Sequence, residues 1–395
     1  MKNYWLDALS PLVFRSGKPF GAQSDTQDIV FPLPSAAAGL VRSSVMAQQA
    51  YAWQQEQNGR ACLSDGDAAQ LKQIVADGLF LGCMGQDGKV TVLVPKPADA
   101  LYLKAPDGEQ TELLRLSPRP MAENTGCDLP DGLLPVQMPT EKEEIAGKPQ
   151  SGAQFWTWSD FMRWQRGETL DFASVNKNGA SDLPKETRTH TAVDVESGAA
   201  KDSQLFQTAA YDFGNKAVEH HQGWESWHYG WLIRTEAELQ DDLVRFGGEG
   251  RLSRLLRLPE DVLAENAGVQ SLSAAEAPKG WRMTLLTPAI FAKGWESAWM
   301  RGDAPVPHTQ NLRVKLRAAA LERWQAVSGW DLHQHRPKAM RKAVSAGSVY
   351  WLEYVSGDWQ ALQNLPYQAV SDHEQDRRDG FGTAVFAPWT PPEAQ

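Results

Sequence analysis

Residues 31–44 read FPLPSAAAGLVRSS, a stretch in which two prolines lead from an apolar segment into a run of small residues. Ser35 is a suitable N-cap and alanine has the highest helix propensity, so we predict a helix from about Ala36 to Gln57. The segment before it, NYWLDALSPLVF, alternates apolar and polar residues, which predicts a strand and then a turn at residues 16–19. The chain therefore begins with a strand and a helix.

The start of the predicted helix combines small side chains with a positive charge. Ala38 and Gly39 leave the backbone open to close approach, Arg42 adds a cation, and Ser43 lies next to it. A helix N-terminus already favours an anion, so one interpretation is that a phosphate or another anion comes close to this backbone. The other interpretation is that the small residues pack closely against a strand. The stretch alone does not decide between them.

The composition is that of a folded, acidic protein. The 395 residues suffice for two domains of ordinary size, and 42% of them are hydrophobic and 22% charged. The formal net charge of −10 speaks against a general nucleic-acid binder, but charges act over only about 8 Å at physiological salt, so a local basic patch can still bind RNA. We expect no signal peptide, because Asp7 lies inside the only short apolar run near the N-terminus, and no membrane span, because no apolar run reaches about 18 residues.

Motifs for catalysis or metal binding are missing from the sequence. The three cysteines, Cys62, Cys83 and Cys127, are scattered, which argues against a disulfide framework and a zinc knuckle and predicts reduced thiols in a cytoplasmic protein. No P-loop, H-E-x-x-H or G-x-S-x-G pattern occurs, and no ligand spacing completes the histidine pairs at 220–221 and at 333 and 335. We therefore predict no catalytic residue, no metal site and no cofactor.

Predicted strands recur along the whole chain, and clear helices are few. Because strands and helices do not alternate regularly, the pattern favours an α+β fold with mainly antiparallel sheets over a doubly wound parallel sheet. Residues 104–150 are rich in proline, glycine and acidic residues, and we predict loops and insertions there. The stretch ASVNKNGASDLPKET at residues 173–187 is a predicted linker, which divides the chain into domains at residues 1–180 and 181–395.

Basic and glycine-rich segments recur at intervals along the chain. In FRSGKPFG two cations bracket a turn, and in RTHTAVD the strict alternation puts Arg188 and His190 on one face of a strand. The segment FGGEGRLSRLLR joins glycines to Arg251, Arg254 and Arg257, which a helical turn would place on roughly one side. In RRDGFGTAVF two glycines follow two arginines just before a strand. The three glycine-containing segments are also compatible with ordinary surface turns.

Seven segments of the chain follow one another in an order that is more specific than any of them alone. They are LSPLVFRSGKPFG, FPLPSAAAGLVRSS, RTHTAVD…QLFQTAAYDF, FGGEGR, LLTPAIFAKGW, AGSVYWLE and DGFGTAVFAPW. In this order, from residue 1 to about residue 389, they resemble the RAMP superfamily, and within it the Cmr-three subunit family of type III-B CRISPR effector complexes. The resemblance implies two ferredoxin-like, RRM-like domains with antiparallel sheets and glycine-rich loops.

The resemblance also implies a structural, non-catalytic role in antiviral defence. A subunit of this kind sits at the foot of the complex, holds the 5′ handle of the CRISPR RNA, and contacts the large polymerase-type subunit and an adjacent backbone RAMP subunit. Its glycine-rich loops bring backbone amides near phosphates. The residues of this sequence that would bind the RNA are Arg15, Lys18, Ala38, Gly39, Arg42, Ser43, Arg188, His190, Gly247, Gly248, Arg251, Arg254, Arg377, Arg378, Gly380 and Gly382.

Two other functions stay open at this point. A metal-independent RNA endonuclease would need a base for a 2′-hydroxyl and a cation near the oxyanion, for which His190 and Arg188 are the best candidates. A carbohydrate-binding β protein would use some of the 16 tryptophans. Intact RNA that co-purifies with other effector subunits favours the scaffold, whereas cleavage of a repeat-containing RNA by the isolated chain favours the enzyme.

Overall fold

The structure is a computed structural model, and it describes residues 1–14, 30–51, 54–55, 61–104, 110–139, 147–214, 228–258, 262–263, 278–331, 333–334, 336–362 and 367–392. In these ranges strands outnumber helices, and the paired strands run antiparallel. This confirms the predicted α+β fold with antiparallel sheets. None of the helices in these ranges is long and apolar enough to cross a membrane.

The helices of the described ranges are short, and most strands have four residues or more. The helices are α1 (Pro34–Gln48), α2 (Asp65–Gln73), α3 (Trp158–Gln165), α4 (Phe172–Asn178) and α5 (Glu374–Arg378), with 3₁₀ turns at Ala298–Arg301 and Trp359–Leu362. The strands are β1 (Lys2–Ala8), β2 (Gln54–Gln55), β3 (Ala61–Cys62), β4 (Ala76–Met84), β5 (Val90–Pro95), β6 (Ala100–Lys104), β7 (Thr111–Arg115), β8 (Ser117–Pro118), β9 (Val136–Gln137), β10 (Lys148–Pro149), β11 (Phe155–Thr157), β12 (Lys185–Val193), β13 (Ala200–Tyr211), β14 (His228–Thr235), β15 (Asp242–Arg245), β16 (Leu252–Arg257), β17 (Gly280–Leu285), β18 (Arg313–Ala320), β19 (Gln325–Val327), β20 (Trp330–Asp331), β21 (Arg336–Pro337), β22 (Arg341–Ala343), β23 (Val349–Ser356), β24 (Gln368–Ala369) and β25 (Thr383–Trp389).

The chain forms two compact units, each of which is built from three separate segments. Unit 1 contains Met1–Val90, Leu183–Pro259 and Ala326–Arg341, and unit 2 contains Thr91–Asp182, Glu260–Gln325 and Lys342–Gln395. The contiguous domains predicted from the sequence divide the chain differently and stay a prediction.

Unit 1 is built around antiparallel strands in the order β4-β14-β1-β16-β15. The register of β1 and β14 sets Trp5 opposite Leu232 and Leu6 opposite Trp231, and all four side chains are fully buried. Helix α1 packs on β4, which is buried along almost its whole length. Because the central strands are buried on both faces, they consist of nearly continuous apolar residues rather than an alternating pattern.

Strands β12 and β13 of unit 1 pair with each other as a two-stranded ribbon. At its base Lys185 lies opposite Tyr211, and Tyr211 exchanges backbone hydrogen bonds of 2.8 Å with Leu12. Beyond this base most of the described side chains of the ribbon are exposed. The predicted strand is confirmed, and its alternation places Arg188 and His190 on the same face.

Unit 2 contains a five-stranded antiparallel sheet in the order β18-β23-β17-β25-β24 and a smaller sheet in the order β10-β6-β7. Cross-strand pairs of large apolar residues fill its core: Met283 lies opposite Tyr350 and Trp281 opposite Leu352, and all four are buried. Pairs of this kind on a covered face are the main source of stability in an antiparallel sheet.

A buried ionic network inside unit 2 joins α3 to β17. Arg282 donates to the carboxylate of Asp99 at 3.0 Å and to Gln165 Oε1 at 2.8 Å, and Trp164 Nε1 donates to the same carboxylate at 2.9 Å. Burial lowers the pKa of Arg282, and the charge of Asp99 opposes this effect. Removing one member of such a pair costs about 3–5 kcal/mol because the other charge is left buried.

Helix α1 differs from the prediction at both ends. It begins at Pro34, whose fixed φ suits the first helical turn, and the residue before this proline is the N-cap instead of Ser35. It ends at Gln48 rather than near Gln57, and Ala50 has a φ of 53°, which a right-handed helix does not allow. The turn predicted at residues 16–19 lies outside the described residues.

Other segments also correct the prediction. The linker predicted at residues 173–187 contains most of α4 and the start of β12, and Asp171 caps α4 by accepting a hydrogen bond of 2.8 Å from Ser174 N. Residues 104–150, predicted as loops, include the strands β7 to β10. In each case local composition favoured a loop, but pairing or capping supplied hydrogen-bond partners that composition does not reveal.

The arginines of LSRLLR lie on a strand and not on a helical turn, which corrects a further prediction. In β16 the buried Ser253 and Leu255 alternate with exposed neighbours, which is the period of a half-buried strand. Arg254 and Arg257 are three residues apart and therefore lie on opposite faces of β16, whereas a helix would have brought them together.

Candidate nucleic-acid interface

An aromatic cluster in unit 1 brings four separate segments of the chain together around Trp231 of β14. The ring of Trp231 on β14 lies 5.0 Å from Phe31, 6.2 Å from Tyr211 and 6.3 Å from Phe14, measured between ring centroids, and Phe14 lies 5.1 Å from Phe246. Phe31 precedes α1, Tyr211 ends β13, and Phe246 begins the glycine-rich loop before β16. Three of the predicted RNA-binding segments are thereby anchored on one cluster, together with the chain that leads into a fourth.

The glycine-rich loop between β15 and β16 is exposed from Gly247 to Gly250. Gly247 has a φ of 80° and Gly250 a φ of 68°, and Glu249 between them also has a positive φ, of 61°. Gly248 N donates to Val13 O at 2.8 Å, and a Cβ on Gly247 would lie 3.0 Å from the same oxygen. The glycines are therefore needed for the close approach of this loop to the segment that precedes the predicted basic turn.

The small residues at the start of α1 lie in two different environments. Ala38 is fully buried, whereas Gly39 and Ser43, one turn apart, are exposed. A Cβ placed on Gly39 would meet no atom of the described residues within 4 Å. The guanidinium of Arg42 donates to Ile74 O at 3.0 Å. Packing thus explains the alanine, but it does not explain the exposed glycine.

The ribbon formed by β12 and β13 brings a cation close to the glycine-rich loop. Arg188 Nε donates to Glu186 Oε1 at 2.6 Å, and His190 Nε2 lies 2.8 Å from Thr208 Oγ1. The hydrogen bond and charge of Glu186 raise the pKa of Arg188, and the charge of Glu249 adds to this effect. Arg188 is therefore within electrostatic reach of the loop, and carboxylates accompany it there.

The predicted site residues fall into three groups. The first group lies in unit 1, on segments that contain or adjoin the aromatic cluster: Ala38, Gly39, Arg42, Ser43, Arg188, His190, Gly247, Gly248 and Arg251. Arg254 also belongs to unit 1 and lies exposed on β16, opposite Asp7. Arg15 and Lys18 lie outside the described residues, although the chain enters that segment directly after Phe14. The remaining four, Arg377, Arg378, Gly380 and Gly382, belong to unit 2.

The C-terminal glycine loop in unit 2 is buried, and its polar groups have partners inside the protein. The N–H groups of Gly380, Phe381 and Gly382 donate to backbone carbonyls at 3.0, 2.9 and 2.7 Å. Arg377 donates through one nitrogen to two carbonyls of the loop before α5, at 2.7 and 2.8 Å, and Arg378 is paired with Glu374. These groups complete the turn into β25, and their role toward RNA stays a prediction.

Sequence reasoning missed the aromatic cluster and the carboxylate of Glu186 beside Arg188, whereas Glu249 was visible as an acidic residue inside the glycine-rich segment. Phe14, Phe31 and Phe246 stand at the start of, or directly before, three of the basic or glycine-rich segments of unit 1, and this recurrence is the signal that could have indicated a shared anchor. Glu186 was visible in the same strand at a spacing of two residues, which places two side chains on one face. Within the described ranges no group of three or more His, Cys, Asp or Glu side chains is placed to hold a metal ion.

Comparison with known proteins identifies the family. The sequence profile of the CRISPR-associated protein family Cas_Cmr3 matches residues 4–389. The chain belongs to this family. This confirms the resemblance predicted from the sequence and supports a subunit of a type III CRISPR effector complex. No curated protein matches the chain.

Solved structures give similarities at low sequence identity. A chain of a type III-B Cmr-β complex bound to cognate target RNA, solved by cryo-EM, is 14% identical, and the match covers 89% of this Cas_Cmr3 chain and 86% of that chain with a TM-score of 0.45. The same complex with target RNA and AMPPnP gives the same values. A chain of the Csm3–Csm4 subcomplex of the type III-A interference complex is 12% identical, with coverage of 99% and 100% and a TM-score of 0.38.

Proposed function

We propose that this Cas_Cmr3 chain is a non-catalytic scaffold subunit of a cytoplasmic type III-B CRISPR effector complex. It holds the 5′ handle of the CRISPR RNA at the foot of the complex, and it contacts the large polymerase-type subunit and an adjacent backbone RAMP subunit. The family match over nearly the whole chain supports the assignment to such a complex. The acidic net charge of −10 fits a narrow RNA track on a surface otherwise given to protein partners.

The observation that carries the RNA-binding part is the cluster around Trp231. It brings together the base of the ribbon, Phe31 before α1 and, through Phe14, the start of the glycine-rich loop. This supports the proposal that backbone groups and cations from these separate segments bind one ligand. Exposed glycines let a phosphate approach the backbone, and Arg188 and Arg251 supply positive charge. Glu186 pairs with Arg188 at 2.6 Å and Glu249 with Arg251 at 2.9 Å, and phosphates would compete with these carboxylates for the arginines.

We also propose that unit 1 is a variant of the ferredoxin-like fold. Four of its strands, β1, β4, β14 and β16, follow one another in this order along the chain, and α1 connects β1 to β4. In the sheet they lie in the order β4-β14-β1-β16, that is, second, third, first, fourth. The helix-connected strands β1 and β4 are thus separated in the sheet by β14, which is the split β-α-β arrangement of the ferredoxin-like fold. The connection from β14 to β16 contains the extra strand β15, at the position along the chain where the ferredoxin-like fold has its second helix.

The alternative, an RNA endonuclease built on His190 and Arg188, has less support. Both side chains project from the same face of the exposed ribbon, and each already has a hydrogen-bond partner: Thr208 for the imidazole and Glu186 for the guanidinium. We propose that the isolated chain does not cleave RNA. Incubation with a labelled repeat RNA, with and without divalent metal, tests this. Specific cleavage that disappears in His190→Ala would show that the enzyme is the correct function.

The scaffold is tested by the salt dependence of binding to handle RNA. Each phosphate contact that is lost flattens the log–log slope by about 0.7 for a single strand. We expect Arg188→Ala to weaken binding and to reduce the slope by about this amount. Arg257→Ala is the matched control, because Arg257 is another exposed arginine paired with a glutamate, at 2.7 Å from Glu238, at the end of β16 away from the glycine-rich loop. Equal effects of the two variants would contradict the proposed track.

A further inference from the structure

The hairpin of β20 and β21 in unit 1 exposes an aromatic ring. Trp330 lies opposite Pro337 in the hairpin, and 55% of its surface is exposed. An indole offers a large flat apolar face, and in folded proteins such a face is usually covered by the core, by a partner or by a ligand. None of the interface residues discussed above belongs to this hairpin.

Positive charge is concentrated in this hairpin and the residues after it, in an otherwise acidic chain. Residues 329–341 contain Arg336, Lys338 and Arg341, all exposed, and a single carboxylate, Asp331. That carboxylate accepts hydrogen bonds from two backbone N–H groups of its own turn, at 2.9 and 3.0 Å, so it is engaged in forming the turn. With a net charge of −10 for the whole chain, a positive segment of this kind favours an anionic ligand.

The hairpin is held in a defined position. Lys338 N donates to Gly329 O at 2.8 Å, which extends the pairing beyond the two strands. In the turn, His333 Nε2 lies 3.1 Å from Asp65 Oδ1 at the first residue of α2. Hydrogen bonds therefore fix the hairpin at its base and in its turn. Side chains on an element that is fixed in this way lose little conformational entropy when a ligand binds.

The two faces of the hairpin differ in chemistry. Residues that lie opposite each other in an antiparallel pair share a face, so Trp330 and Pro337 form an apolar face and Asp331 and Arg336 form a charged one. The strands are about 4.8 Å apart and the hairpin is one layer thick, so a flexible strand that passes its edge meets both faces.

We propose that this hairpin binds single-stranded RNA, with a base stacked on Trp330 and phosphates near Arg336 and Lys338. Proteins that bind single strands without sequence preference combine a positive surface with aromatic rings, because every base has a π-face. We favour RNA over a folded acidic partner protein for one reason. A protein that only covers the ring does not need it to be held rigidly, whereas a stacked base does. The proposal does not rest on handle binding, because the two surfaces share no residue.

The experiment measures binding of a short fluorescein-labelled oligouridine, which lacks the handle sequence, to the full chain by anisotropy. We expect Trp330→Ala to weaken binding about tenfold, as the loss of one stacked base does, and Trp330→Phe to keep most of the affinity. The double charge reversal R336E/K338E should weaken binding and flatten its salt dependence. A labelled oligothymidine of equal length shows whether the surface also accepts DNA, and clearly tighter binding of DNA than of RNA would overturn the RNA assignment.

Trp324→Ala is the matched control. Trp324 is 57% exposed, but Lys342 Nζ lies over its ring at 4.9 Å from the centroid, so one stacking face is covered. The proposal is overturned if wild type does not bind oligouridine, if Trp330→Ala binds as wild type does, or if the two tryptophan variants lose equal affinity. Loss of assembly with other effector subunits at unchanged oligouridine affinity would make the hairpin a protein interface instead. If handle binding fails while oligouridine binding depends on Trp330, the proposed function is wrong and this inference stands.

Discussion

Two glycine-rich loops of the chain carry similar sequences and have opposite surroundings. FGGEGR, between β15 and β16, is exposed from Gly247 to Gly250, and DGFGT, between α5 and β25, is buried from Asp379 to Thr383. Both use glycines with positive φ. In the buried loop three successive N–H groups donate to protein carbonyls, so they complete a turn instead of facing outward. A G-x-G pattern therefore predicts turn geometry, whereas burial decides whether the amides can reach a ligand.

The largest expected effect comes from adding one methyl group to the buried loop. Gly382 has a φ of 85°, and a Cβ there would lie 2.8 Å from both the backbone nitrogen and the hydroxyl of Ser371. The left-handed conformation and the clash together should lower the free energy of unfolding by about 3 kcal/mol in Gly382→Ala. Urea unfolding followed by tryptophan fluorescence measures this. A variant as stable as wild type would show that the loop is not tightly packed.

The next effect concerns the arginine beside the buried loop. Arg377 donates to the carbonyls of Ser371 and Asp372, at 2.7 and 2.8 Å. Hydrogen bonds from a charged donor contribute more than neutral ones, so Arg377→Ala should destabilise the chain by about 2 kcal/mol. The resemblance to the family predicts that Arg377 binds RNA, whereas the comparison of the two loops predicts that the salt slope of handle-RNA binding does not change in this variant. A flatter slope with wild-type stability would mean that Arg377 contacts phosphate, and the two loops would then be alike.

The parts of the fold that sequence predicted are those in which a local pattern and the final environment agree. The alternation of RTHTAVD is typical of a strand, and it forms β12. Two misses have different causes. The helix α4 in the predicted linker begins at a local cap, Asp171, which the sequence contains but its loop-like composition outweighed in the prediction. The strand β16 depends on pairing with β1 and β15, and because β1 is far away in the sequence, local propensity is too weak to decide this segment.

The candidate site was predictable in its components but not in its arrangement. Residue type singled out Gly39, Arg188 and Gly247 as places where backbone or charge could face an anion. The sequence did not reveal that the glycines at 380 and 382 are buried, because a turn with positive φ needs glycine in either surroundings. Nor did it reveal Trp231 as the common anchor, since one buried tryptophan among 16 has no distinguishing pattern.

On the exposed loop the expected effect is on RNA affinity. Arg251 donates to Glu249 at 2.9 Å, and RNA would replace this carboxylate by a phosphate. Arg251→Ala should weaken handle binding about tenfold and lower the salt slope by about 0.7. Glu249→Gln is the paired variant and should tighten binding, because it removes a competing anion while keeping the shape of the side chain. Anisotropy across a salt series measures both. Changes in the same direction would show that the loop acts on stability and not on RNA.

The smallest expected effect is that of a methyl group on the exposed loop. Gly250 has a φ of 68°, but a Cβ there would meet no atom of the described residues within 4 Å. Only the conformational cost remains, so Gly250→Ala should lose about 1 kcal/mol of stability, and Gly250→Asn less, because asparagine tolerates the left-handed region. Handle-RNA affinity separates the two roles of this glycine. If phosphate approaches the loop backbone, both variants should bind more weakly although their stabilities differ, since each adds a side chain at the point of contact. If affinity follows stability, so that the asparagine variant binds nearly as wild type does, Gly250 serves only the turn, and the exposed loop resembles the buried one in function despite its different surroundings.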